Sequence, residues 1–130
     1  MAETGTKLTS AQKIDKTRKA LDQLNRREFD PETYTEDAIF HGFLLGELKG
    51  REAVVAALKE QSQSADFRGM DTHAVLGDDE HVVALVTLKA RRNGQDINVR
   101  QVIVIHANDQ GQAAEEWVFP DPASRKQLGR

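Results

Sequence analysis

The chain has 130 residues, with 18 basic and 21 acidic side chains and a formal net charge of −3. That size suits one domain, here taken as 1–130, with one core, and so mild and interspersed a charge argues against a groove that neutralises nucleic-acid phosphates. Cysteine is absent, which excludes disulfides, thiolate nucleophiles and thiolate metal sites; no secretory signal or long apolar run is visible, so a cytoplasmic location without a membrane partner is expected.

Residues 1–8 read as a frayed terminus. Thr9 with Gln12 makes a capping box for a helix through Ile14, Leu21 and Leu24, ending near Arg26-Arg27. Asp30-Pro31 caps a short helix that runs to about Tyr34. A strand is expected over 38–43, after which Gly42, Gly46 and Gly50 punctuate the connection. Ala53, Val54, Ala57, Leu58 and Gln61 share one face of a helix that begins near Arg51. Four consecutive antiparallel strands follow over 70–76, 81–91, 96–106 and 113–119. Helices first and a meander after is an α+β order, with helices on one face of a strongly bent sheet that forms a cone around a cavity.

Two hairpins set the registers. Asn93-Gly94 is a two-residue turn, which puts Arg92 opposite Gln95, Val86 opposite Gln101 and Leu88 opposite Val99. Gln101 is then the one polar side chain in the middle of an apolar sheet face, and a buried amide costs roughly 1–3 kcal/mol unless it is hydrogen-bonded. A ligand cavity would supply the partner. The opposite face carries Val83, Leu85, Val102 and Val104, an apolar strip that predicts a homodimer. In the second hairpin, glycine closure at Asn108-Asp109-Gln110-Gly111 sets Asn108 opposite Gln112. That register places Trp117 beside Ile103, Phe119 beside Gln101 and Asp121 beside Val99, all on the cavity face. A slip of one residue would turn Glu116 and Val118 inward instead.

The candidates for chemistry follow from these positions. Asp121 beside the aromatic walls of Trp117 and Phe119 would have its charged form disfavoured and serve as general base; with Pro122 after it, Asp121 equally reads as a helix cap. His41, on a face with Ile39 and Phe43, is either a proton carrier or a satisfied histidine at the cavity rim. Gln101 would hold a carbonyl oxygen as an enolate forms, or bond a neighbouring core group. No spacing of histidines and carboxylates suggests a metal site, and His81 and His106 pair across the hairpin on the outer face.

Together with Tyr34-Thr35-Glu36-Asp37-Ala38-Ile39-Phe40-His41, Lys49-Gly50-Arg51-Glu52-Ala53 and Glu115-Glu116-Trp117-Val118-Phe119-Pro120-Asp121, this order of elements resembles the nuclear transport factor 2-like superfamily, and within it the SnoaL-like polyketide cyclase branch. The likeness covers nearly the whole chain from Ile14 onward. It implies a cone-shaped α+β barrel, commonly homodimeric, with a cavity between the helices and the concave sheet face. Phe119-Pro120-Asp121 and Gln127-Leu128-Gly129 look similar to the cyclase ending that carries an acid/base aspartate, Gln101 matches its pocket glutamine, and His41 stands at a pocket asparagine. The cyclase's pocket histidine is replaced by Ile103. Ketosteroid isomerase, of the same fold, uses a tyrosine and two aspartates; those positions hold Ala20, Gly42 and Ile103, so that particular mechanism is rejected.

The expected function is acid/base catalysis without a cofactor, of the cyclase or isomerase type, on a small apolar carbonyl-bearing molecule. Asp121 or His41 would be the base, with Gln101, Trp117, Phe119, Phe43 and Tyr34 binding substrate. The alternative is a non-catalytic module that binds a ligand in the cavity or a protein on the outer face. An epoxide hydrolase would want an Asp-Arg-Asp constellation around water, and Arg100 is expected on the outer face.

Overall fold

A computed structural model describes residues 7–43 and 45–127. The elements are α1 (Ser10–Asn25), a 3₁₀ turn (Pro31–Thr33), β1 (Tyr34–Gly42), β2 (Gly46–Lys49), α2 (Arg51–Gln63), β3 (Phe67–Gly77), β4 (His81–Arg92), β5 (Gln95–Ala107), β6 (Ala113–Pro120) and α3 (Pro122–Lys126). Six strands make one mixed sheet in the order β2-β1-β6-β5-β4-β3. With α1 packed on β3 and β4 and α2 on β1, β2 and β3, this is the α+β cone.

Local chemistry explains the starts of the elements. Thr9 and Gln12 form the reciprocal capping box at the head of α1. Lys13 is buried on α1, where its ammonium donates to the backbone carbonyl of Asp79 in the β3–β4 turn. The Asp30 carboxylate accepts from the Glu32 amide, and Pro31 occupies the first position of the 3₁₀ turn. Of the terminus expected to fray, residues 1–6 lie outside those described, while the Leu8 amide donates to the Asp109 carbonyl at 2.8 Å. The sequence reading missed β2, a short edge strand of four residues, and the parallel pairing of β1 with β6.

The first hairpin has the expected register throughout, from Arg92 opposite Gln95 to His81 opposite His106. Asn93 and Gly94 both take positive φ, 54° and 78°, as this tight turn requires. The second hairpin opens as expected, with the Asn108 amide donating to Gln112 O at 2.9 Å. It then departs from expectation. Ala107 pairs with Ala113 but His106 pairs with Glu115, so Ala114 is an extra residue, a β-bulge. Every later residue is shifted by one: Glu116 lies opposite Ile105, Val118 opposite Ile103, Phe119 opposite Val102 and Pro120 opposite Gln101. A one-residue slip exchanges the two faces of a strand, which turns Trp117 and Phe119 outward and brings Glu116 and Val118 in.

The core has two clusters. One gathers β3, β4 and β5 under α1, around Val82, Ala84, Val99 and Leu21; the other gathers β1 and α2 around Tyr34, Ala38, Phe40 and Val54. Ile105 and Val118 pack against both. The cavity opens between the clusters, at the seam that those two residues bridge.

Candidate functional site

The cavity has a volume of about 130 Å³. Its walls are mostly apolar, with Leu21 and Leu24 from α1, Phe40 from β1, Leu58 from α2, and Ile103 and Val118 from the sheet. Three polar side chains that reach it are buried: Tyr34, Gln101 and Glu116. Each burial costs free energy that its hydrogen bonds must offset.

Glu116 and Tyr34 offset part of that cost together. The Tyr34 hydroxyl donates to Glu116 Oε1 at 2.9 Å, across a contact between β1 and β6. Burial disfavours the charged carboxylate and pushes its pKa up to about 7, while the hydrogen bond from Tyr34 pulls it back. The Tyr34 hydroxyl is pushed well above its ordinary value, by burial first and then by the adjacent carboxylate. Near neutral pH, Tyr34 is therefore a fixed neutral donor, and Glu116 is a carboxyl poised between its two protonation states. That is the property a proton carrier needs.

Gln101 is the second polar feature. It is 6 % exposed and lies where the first hairpin register places it, and its side-chain amide has no hydrogen-bond partner among the described residues. Among the described residues no neighbouring core group bonds it. A buried unpartnered amide facing a cavity is an open donor and acceptor for whatever fills that cavity.

Of the residues singled out in the sequence, Gln101, Tyr34 and Phe43 line the cavity, and Asp121, His41, Trp117 and Phe119 do not. The bulge at Ala114 accounts for three of these corrections. Beyond it, Phe119 is 52 % exposed, Trp117 stacks on His41 with ring centroids 5.6 Å apart, and Asp121 turns to the outside. There the Asp121 carboxylate accepts from Arg100 Nη2 at 2.8 Å and from Ser124 Oγ at 3.0 Å. The arginine bond foremost, then the serine bond, holds its pKa below the ordinary value. Asp121 thus stands ionised ahead of α3, with Pro122 as the first helical residue, which is its capping position.

His41 is corrected for a different reason. In β1 the inward residues are Ala38 and Phe40, so alternation sends Ile39 and His41 outward, while Phe43 reaches the cavity only because it lies past the strand end. His41 Nε2 lies 2.7 Å from Glu115 Oε2, and Nδ1 lies 3.4 Å from Glu47 Oε2. His81 and His106 stack across the hairpin at 5.2 Å, as their pairing implies. Among the described residues there is no group of three or more His, Cys, Asp or Glu side chains placed to hold a metal ion. None of the described helices is long and apolar enough to cross a membrane.

Sequence reasoning named Glu116 only as the inward residue of a slipped register and gave it no chemical role, and the structure has that register. Glu115 and Glu116 are adjacent, so one of them must face inward in any strand, and only the register says which. Tyr34, reachable from the pattern of β1, was the available signal for a buried polar partner.

A family model of the SnoaL-like domain matches residues 17–116. The chain belongs to the SnoaL-like domain family. No curated protein matches it. Among solved structures, Bal32a from a soil-derived mobile gene cassette is 21 % identical, with a TM-score of 0.81 over 93 % of this chain and 98 % of that one. A putative SnoaL-like polyketide cyclase from Jannaschia sp. CCS1 is 16 % identical, with a TM-score of 0.75 over 96 % of each chain. An LEH-like epoxide hydrolase of M. tuberculosis is 14 % identical, with a TM-score of 0.76 over 91 % of this chain and 89 % of that one. At these identities the likeness is one of fold, and function rests on the site.

Proposed function

We propose that this SnoaL-like protein is a cofactor-independent acid/base catalyst of the isomerase or cyclase type, acting on a small apolar carbonyl compound, with Glu116 as proton carrier and Gln101 as the group that holds the oxygen. The observation that carries the reading is the pair of buried polar groups facing one apolar cavity, a carboxyl held by Tyr34 and an amide that has no partner among the described residues. In the ionised state, the Glu116 carboxylate takes a proton from the carbon next to the carbonyl. The electron pair of that C–H bond moves onto the carbonyl oxygen, where the Gln101 amide donates to the developing enolate. In an isomerisation, the Glu116 carboxyl returns the proton to a different carbon. In a ring closure, the enolate carbon attacks a second carbonyl of the same molecule, and the alkoxide formed takes the proton back from Glu116.

The spacing supports this division of labour. Glu116 pairs with Ile105, four residues from Gln101 along β5, which is roughly 13 Å between backbones. Both side chains reach the same cavity, so a small substrate there can meet the carboxyl on one side and the amide on the other. Glu116 is the only acidic side chain buried in the cavity wall among the described residues, since Glu28 and Asp30 sit exposed at the rim. One carboxylate suits a proton that is removed and returned. Epoxide hydrolysis wants a separate acid and base around a water, and the arginine it would use, Arg100, faces outward and pairs with Asp121.

A homodimer through the outer sheet face belongs to the same proposal. Val83, Leu85, Val102 and Val104 are joined there by Phe119 and Leu76, which are 52 % and 58 % exposed, so the apolar strip is wider than the sequence indicated. A cytoplasmic location is proposed with it.

Deuterium exchange at the acidic carbon of a bound cyclic β-dicarbonyl reads the chemistry directly. The wild-type protein exchanges it faster than buffer, Glu116→Gln abolishes the excess, and His41→Ala and Asp121→Asn retain it. Exchange that survives in Glu116→Gln refutes the assignment of the base. Tight binding with no exchange in the wild type makes the protein a binding module.

A further inference from the structure

We infer that the natural ligand is elongated: a head of about one ring sits between Glu116 and Gln101, and a neutral, hydrogen-bonding tail runs out along the inner face of β4 beneath the end of α2. The inference rests on the proposed chemistry for the head alone. Its first support is size. A cavity of about 130 Å³ compares with a 150 Å³ cavity that accepts one benzene ring and falls short of the roughly 300–1,000 Å³ of ordinary small-molecule pockets. A ligand with more than a ring must leave the cavity.

The second support is the way out. An open groove between α2 and β4 shares Leu45, Gln61 and Leu88 with the cavity, so these three residues form a neck between the two spaces. Val86 on β4 faces Gln101. Further along the same inner face, Leu88, Ala90 and Arg92 line the groove in alternate positions. The order from Glu116 through Gln101 to the neck and then the groove is therefore a single path along adjacent strands. From Val86 to Arg92 that path is roughly 20 Å.

The third support is the chemistry of the walls. Gln61 stands at the neck, half-buried, with a side-chain amide that has no partner among the described residues. Beyond it the groove carries Gln63 and Ser64, and its charged groups are Glu60, Asp66 and Arg92. Two carboxylates against one guanidinium disfavour an anionic tail, and amides and a hydroxyl favour one that carries amide or hydroxyl groups over a bare alkyl chain.

Affinity measured on the whole chain by titration calorimetry tests this. The probes are cyclohexane-1,3-dione alone and the same ring bearing a glycol-amide, an n-alkyl or a carboxylate-ended tail of equal length. The glycol-amide tail is expected to tighten binding at least tenfold over the bare ring and to exceed both other tails. Ala56→Trp narrows the groove from an exposed position on α2, and Gln61→Leu removes the neck amide. Both are expected to erase the gain, and Ala56→Trp, which lies outside the cavity, leaves the bare ring bound within twofold of its wild-type affinity. A glycol-amide tail that adds nothing, an alkyl or carboxylate-ended tail that binds tighter, or an Ala56→Trp variant that keeps the full gain overturns the inference. A tail gain with no proton exchange at the ring leaves the inference standing and fails the catalytic reading; exchange with no tail gain does the reverse.

Discussion

Replacing Glu116 by Gln separates the cost of the buried carboxyl from its use. The carboxyl ordinarily ionises at 4.5 and here does so at about 7, chiefly because burial disfavours the charge. The folded state therefore holds its proton more tightly than the unfolded chain. Below pH 4.5 both states are protonated and the group contributes no pH dependence. Between pH 4.5 and 7 the unfolded chain has released a proton that the folded protein keeps, so stability falls as pH rises. Above 7 both are ionised and the loss is complete, at roughly 3 kcal/mol for the interval between the two values. Gln keeps the shape and can still accept from the Tyr34 hydroxyl, but it does not titrate. The variant and the wild type should match near pH 4.5 and diverge steadily to about pH 8. There Glu116→Gln is the more stable by roughly 3 kcal/mol, or about 10 °C in melting temperature for a chain of this size. Thermal melts of both proteins from pH 4.5 to 9, read as a difference curve, cancel the other titrating groups. A flat difference, or a wild type that gains on the variant as pH rises, refutes the reasoning.

The same pair of residues predicts a kinetic shift. Tyr34→Phe removes the hydrogen bond that lowers the Glu116 value, so the pH midpoint of proton exchange should move upward, and a downward move would show that Tyr34 acts otherwise. Gln101→Leu should stabilise the empty protein, by roughly 1–3 kcal/mol, because it removes a buried amide that has no partner among the described residues, and should weaken a carbonyl ligand by a similar amount; denaturant unfolding and titration read the two signs, and a loss of stability would mean that the amide is bonded. Phe119→Glu places a charge in the exposed apolar strip of the outer sheet face and should shift sedimentation at micromolar concentration from dimer to monomer. A wild-type monomer refutes the dimer.

How far the site was legible depended on which turn governed it. Asn93-Gly94 admits essentially one hairpin geometry, so the register from Arg92 to His81 and the burial of Gln101 could be read from two residues. The β5–β6 turn was equally readable at its tip, where Asn108 and Gln112 pair as expected. Two residues later the reading failed at Ala114, because a bulge at an alanine has no composition signal of the kind glycine gives. All of the misplaced groups on β6 follow from that one residue. Edge strand β2 and the parallel partnership of β1 with β6 were illegible for another reason: they are decided by packing between distant segments, which local periodicity does not report.

The bulge also explains why the site has the chemistry it has. With an uninterrupted register, Trp117 and Phe119 would have filled the space between the two core clusters, and Glu116 would have pointed to solvent at its ordinary pKa. Inserting Ala114 puts the two large aromatic side chains outside, where Trp117 stacks on His41, and leaves room inside that the smaller Val118 and the Glu116 carboxyl do not fill. Cavity and poised carboxyl thus share one cause, so deleting Ala114 should abolish both together. That variant should lose proton exchange and ligand binding even if it folds with native helix content by circular dichroism. A deletion variant that still exchanges with a pH midpoint near 7 would show that β6 re-forms its bulge from neighbouring residues, and that the register is set by the burial of Glu116 beside Tyr34 rather than by Ala114.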